Sequence, residues 1–234
     1  MSTGKKSMQL KHDAGGKVKV KIKPNVVGNA VLSDCGLYRP ILTRDWSNRA
    51  PSPVILWIGM NPSTALETID DPTVIREQNF SDQWGFKRYV KCNVMDYRST
   101  DQKQLLRTDI NVCCNMNLAT IIYSAKRAQR VMMAHGTLKP QIAAYGDIVA
   151  YVLDALDIPM HVLKISSNGS PYHPLYMAGD TEPFEYKPRG LSPKEMKKMK
   201  EVYPLTKLFE NLSPDHVDQK DIDTIITYVS KKYE

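Results

Sequence analysis

Nowhere in the chain do apolar residues run for the ~18 positions that a membrane-spanning helix needs. No membrane partner is therefore expected. The N-terminal stretch has no apolar core, so no secretory leader is expected either. Cysteine is scarce. Cys35, Cys92, Cys113 and Cys114 show no C-x-x-C spacing, which argues against a disulfide frame or a zinc site. They read as free thiols in a reducing, cytoplasmic compartment. The glycine-rich signatures of dinucleotide and P-loop sites are missing, as are H-E-x-x-H and G-x-S-x-G. These absences weigh against a nucleotide-cofactor enzyme, a metalloprotease and a serine hydrolase. No cofactor and no metal are expected.

What remains is a globular composition, 42% hydrophobic and 24% charged, over 234 residues. That length holds one domain with a sizeable core plus extensions. The net charge of +7 is unevenly spread. Residues 1–24 hold seven lysines and one aspartate, whereas residues 25–186 hold 15 basic and 16 acidic residues. The basicity is thus mainly an N-terminal arm, read as flexible. Within it Lys17, Lys19, Lys21 and Lys23 alternate with apolar residues, as in an edge strand. Such an arm suits the backbone of a nucleic acid, or serves as a solubilising tail.

The central feature is Pro53 to Ala65, an apolar run that ends at Gly59 and turns through Met60, Asn61, Pro62 and Ser63. A run of this length between turn residues predicts a buried strand followed by a sharp elbow. Residues 29–46 read as a lead-in hairpin, with Arg39 and Arg44 as surface or structural residues. Asp71-Pro72 is a helix start and Gly85 a helix stop. Asp70 beside it has no such structural explanation, and the pair is a candidate for acid/base chemistry. Further strands are expected at 89–95, 130–136 and 161–166. Helices are expected at 109–126 and 140–156. Beyond a linker at 187–190, residues 187–234 read as a helical extension that packs on the body or on a protein partner.

Strands alternating with helices predict a three-layer α/β/α domain over residues 25–186, with a four-stranded parallel central sheet. Polar residues then collect at the strand tips: Asn61 and Ser63, Asn93 and Asp96, His135, and His173. Convergence of such groups at one sheet edge argues for a binding cleft. Amides read base edges well, because asparagine carries donor and acceptor side by side.

The elbow Gly59-Met60-Asn61-Pro62-Ser63 resembles the first motif of the uracil-DNA glycosylase superfamily. His173-Pro174 resembles the start of its second motif, and Asn93 is placed like its base-reading asparagine. The chain departs from that pattern at Leu175-Tyr176, where those enzymes have Ser-Pro. A wider set of motifs resembles a bacterial and phage domain family of unknown function. It comprises Tyr38-Arg39, NPSTA, DDPT, Trp84-Gly85, RSTD and G-x-P-x-HPLY. That resemblance implies the cytoplasm of a bacterium, or of the host of a phage.

The glycosylase resemblance implies a uracil-DNA-glycosylase-like fold and a DNA glycosylase-type hydrolase acting on a flipped base, modified bases included. Asn61 would place the water and His173 would stabilise the leaving base. Asp70 or Asp71 would supply the carboxylate that Asn61 cannot. Asn93 would read the base edge. Met60, Ser63, Phe80, Arg98 and His135 are further candidates to contact the base or substrate, with Phe80 also readable as core and His135, which has no counterpart in that family, as a satisfied strand-end histidine. Two alternatives stay open. One is a non-catalytic module binding nucleic acid, a nucleotide or a protein through the same cleft. The other is a hydrolase of free nucleotides or nucleosides.

Overall fold

Six residues decide the architecture. Val54 to Gly59 form a strand whose last five members are buried, so it must be covered on both faces. Side chains alternate along a strand. Ile55 and Trp57 join Val74 and Phe80 in one apolar layer, while Leu56 and Ile58 join Ile121 and Ile148 in the other. A helix layer therefore covers each face of the sheet.

The structure, a computed structural model, describes residues 18–202. In chain order the strands are β1 (Val20–Lys21), β2 (Val27–Val31), β3 (Ile41–Asp45), β4 (Val54–Gly59) and β5 (Ile69–Asp70). Helix α1 (Pro72–Gln83) leads to β6 (Arg88–Asn93), α2 (Asn117–Arg127) to β7 (Arg130–Met133), and α3 (Ala143–Ala155) to β8 (Met160–Val162). Strand β9 (Phe184–Tyr186) and helix α4 (Pro193–Val202) follow. Lys17 and the expected helix near the C-terminus lie outside the described residues.

The expected four-stranded parallel sheet is a mixed sheet of seven strands, in the order β2-β3-β6-β4-β7-β8-β9. Pairing is parallel from β6 through β4 and β7 to β8. The hairpin β2-β3 adds antiparallel strands on one side, and β9 adds one on the other. These outer strands were harder to read because they are short and less buried, so their apolar alternation is weak. β1 and β5 form a separate two-stranded ribbon.

Local chemistry explains the helix ends. Asp71 caps α1, accepting from the Val74 N–H at 2.9 Å, and Pro72 occupies the first turn. Gly85, with φ of +83°, stops it. Helix α2 begins at Asn117, not at 109. The intervening residues are held by the chain beyond β6, with Tyr97 N–H donating to Val112 and Cys114 N–H to Asp96. Helix α3 begins at Ala143, after a turn that closes between Lys139 and Ile142. At the far end, Arg189 bridges Asp147 on α3 and Glu195 on α4, and Leu191 and Met196 pack against the core.

Arg44 and Asp70 form a buried ion pair, with Nε donating to Oδ1 at 2.8 Å. Removing one partner of such a pair strands a buried charge. Arg44→Ala is expected to lower stability by about 3–5 kcal/mol in urea denaturation. Lys87→Ala, which breaks the exposed pair to Asp82, is expected to change it by about 0–1 kcal/mol.

Candidate functional site

The carboxyl ends of β4 and β7 lie side by side, and the chain leaves them in opposite directions, to β6 and to β8. This is a topological switch point, where open α/β sheets bind ligands. A cleft of about 510 Å³ opens there. Gly59, Met60, Asn61 and Ser63 line it from the β4 elbow, and Lys91 and Asn93 from β6. Asp71 and Thr73 line it from the start of α1, Thr137 from beyond β7, and Tyr172, His173 and Tyr176 from beyond β8.

Strand alternation selects these residues. Trp57 and Tyr89 face the α1 layer. Gly59, Lys91 and Asn93 share their parity and so face the same side. A Cβ on Gly59 would lie 2.9 Å from both Asn93 Oδ1 and Lys91 Nζ. Glycine is required there because those two groups occupy the space.

Asn93 is 0% exposed, and neither its Oδ1 nor its Nδ2 has a hydrogen-bond partner. Its backbone is fixed separately, since Asn117 Nδ2 donates to the Asn93 carbonyl at 3.2 Å. A buried amide left unpaired on both atoms is rare. Asn61 is arranged differently. Its Nδ2 donates to the carbonyls of Ser99 at 2.7 Å and Pro62 at 3.0 Å. The donor is spent on the loop, and Oδ1 remains as an acceptor at the cleft wall.

Lys91 is buried against Glu77 of α1, its Nζ lying 2.6 and 2.7 Å from the two carboxylate oxygens. Tyr89 Oη donates to the same carboxylate at 2.6 Å. Burial pushes the Glu77 carboxyl up, and Lys91 and Tyr89 oppose that rise. Sequence reasoning passed over Lys91 and Glu77. The available signal was the two-residue period Tyr89, Lys91, Asn93, which places all three on one strand face.

His173 heads a short 3-10 turn, and its Nδ1 accepts from the Leu175 N–H at 3.4 Å. The ring proton of the neutral form then sits on Nε2. Burial pushes the imidazole down to about 4, with the nearby Lys91 charge adding to that and Asp71 opposing it. Gly136, with φ of +72°, backs onto His173, where a Cβ would come within 3.2 Å of the histidine Cβ. Arg76 of α1 donates to the Met177 carbonyl and ties this turn to the helix.

Four expected site residues lie elsewhere. Asp70 is consumed by Arg44 and by Gln78, whose Nε2 donates to Oδ2 at 2.8 Å. Phe80 is core, stacked on Trp57 and Trp84 at 6.2 and 5.3 Å. Arg98 is buried and donates to the Gly36 carbonyl at 2.9 Å. His135 has the opposite strand parity to Gly136. It borders a second cavity of about 330 Å³ on the α3 side, with Nδ1 2.7 Å from the Gly136 oxygen. Arg39, expected on the surface or in a structural role, is buried and donates to Ala65 behind the elbow.

The start of the described N-terminal segment meets the cleft rim at Val18. β1 pairs with β5, placing Val20 opposite Asp70, one residue before Asp71. Val18 shares a shallow pocket with Ser63, Asp71, Thr73 and Leu175. Lys19, Lys21 and Lys23 are exposed along this segment. Among the described residues no group of three or more histidine, cysteine or acidic side chains could hold a metal, and no helix is long and apolar enough to cross a membrane.

Burial also pushes His135 down to about 4. A histidine depressed on folding is bound to fewer protons in the native state than in the unfolded chain. Stability from keeping it neutral is present above its ordinary value near 6.5 and is lost as pH falls towards about 4. Urea denaturation across that window is expected to show wild type losing stability relative to His135→Gln as the pH drops.

One family model matches the chain, over residues 39–175, and its description is Protein of unknown function (DUF1643). None of the curated proteins and none of the solved structures matches.

Proposed function

Since the chain belongs to this DUF1643 family, whose description names no activity, its function must be argued from the cleft, and we propose that the cleft reads a nucleobase and releases it by N-glycosidic hydrolysis. The observation that carries this reading is the Asn93 amide, buried in the cleft with donor and acceptor both unspent. A ring edge with adjacent carbonyl and N–H pairs with both atoms at once. An uncommitted amide in a dry site also rejects ligands lacking that edge, because its own groups would stay unpaired.

The remaining groups fit glycosidic cleavage in a uracil-DNA-glycosylase-like fold. Asn61 Oδ1 is an acceptor for a water approaching the anomeric carbon. That carbon turns oxocarbenium-like as the bond breaks, so a weakly activated water suffices. Asp71 uses one oxygen to cap α1, and its carboxylate favours positive charge at the sugar. Neutral His173, with its proton on Nε2, is a hydrogen-bond donor to the departing base. Tyr176, 80% exposed at the mouth and 5.7 Å from the His173 ring, is a stacking face for the extruded nucleotide. The basic β1 segment beside the rim suits the phosphates of a DNA strand.

A second reading is favoured by the carboxylates. Asp70 is fully paired and Asp71 is engaged as a cap, so neither is a free base. On that ground the cleft would bind a base on a nucleic acid without turning it over.

Base release from pooled normal, deaminated and hypermodified DNA, read by mass spectrometry of the free bases, separates the two. Wild type is expected to release a base, with His173→Ala slower by about 10²–10³-fold. Gly59→Ala is expected to abolish release while leaving the unfolding transition cooperative, because the new methyl displaces Asn93 and Lys91. Binding without release, still dependent on Asn93, would select the second reading.

Replacing Lys19, Lys21 and Lys23 together by alanine should weaken DNA binding alike for all sequences. The log–log salt slope should fall by about 0.7–0.9 for each phosphate that is no longer neutralised. An unchanged slope would remove the arm from the interface.

A further inference from the structure

Lys91 has no part in the base release above, yet it lines the cleft with Asn93 and His173. Its Nζ is as close to the Gly59 Cβ position as Asn93 Oδ1 is, at 2.9 Å. Its charge is felt at His173, where it helps to hold the imidazole neutral. Two of its hydrogens can serve the Glu77 oxygens, which leaves a third N–H. Glu77 is 0% exposed and belongs to α1, while Lys91 lines the cleft. The pair is therefore a fixed dipole with its positive end at the site. Such an arrangement stabilises negative charge without reorganising when that charge forms.

We propose that Lys91 is a catalytic residue of this cleft, donating to the ring held by Asn93 and stabilising the negative charge of the departing base. The inference rests on the base-releasing reading and deepens it, since it names the ligand as a ring carrying delocalised negative charge. In the step itself the C1′–N bond breaks and its electron pair stays on the ring nitrogen. Water adds to C1′ and its proton passes to solvent. The ring anion, held by Lys91 and His173, takes up a proton from solvent on release. Neutral His173 supplies a hydrogen bond but no charge, so the positive end of the Lys91–Glu77 dipole is the electrostatic stabiliser at this position.

The test uses two free rings of similar shape. Uracil is neutral at neutral pH and 5-nitrouracil is largely a ring anion. Calorimetric titration of the full chain is expected to show the anion bound about tenfold or more tightly than uracil. Lys91→Met alone would leave Glu77 charged and buried, so the comparison is the double variant Lys91→Met, Glu77→Gln, whose fold is checked by circular dichroism. It is expected to lose the preference for the anion, so that whatever affinity remains is the same for the two rings. Lys91→Arg is expected to keep the preference. A preference that persists in the double variant, or equal binding of both rings by wild type, overturns the role of Lys91 and leaves the base reading standing. If neither ring binds, the base reading itself falls, and this inference with it.

Discussion

The buried contact of Lys91 with Glu77 and Tyr89 is the interaction on which the site depends. It crosses from the middle of the sheet to the covering helix, so it fixes α1 over β6. With α1 so placed, Asp71 and Thr73 stand at the cleft and Arg76 reaches the turn that carries His173. An ion pair in this setting is not a strong source of stability, because desolvation offsets most of the attraction. An apolar pair would have held the helix as well. What the charges add is a single registration of helix on sheet and an oriented dipole beside the cleft.

The site divides into groups that are spent and groups that are not. Asn61, Asp70 and Arg44 bond backbone carbonyls or each other, and they shape the elbow and the β1-β5 ribbon. Asn93 is left with both polar atoms unpaired although it is wholly buried. Leaving such an amide unsatisfied works against folding. That amide lies at the switch point of the parallel strands.

Several residues were misread because what surrounds them comes from other parts of the chain. Polarity near a strand tip marks the edge of a sheet but not which face of it. His135 follows Ala134, which faces the α1 layer, so it turns to the α3 side and away from the cleft. Asp70 looked unexplained because its partner Arg44 lies 26 positions earlier in the chain. Phe80 belongs to an aromatic stack assembled from a strand and a helix. Conversely, nothing local marks Lys91 or Glu77, and only their meeting across the interface between strand and helix gives them a role.

The sequence by itself determined the α/β alternation, the buried β4 strand, the Asp71-Pro72 helix start with its Gly85 stop, and the gathering of Asn61, Asn93 and His173 at one sheet edge. These depend on local rules: apolar runs, capping chemistry and the two-residue period of a strand. Tertiary structure alone decided the β9 strand, the pairing of β1 with β5 beside Asp71, and the state of each polar side chain. Whether an amide or a carboxylate is spent or free depends on partners tens of residues away. Local pattern carries no information about them, and only packing brings them within the roughly 3 Å of a hydrogen bond.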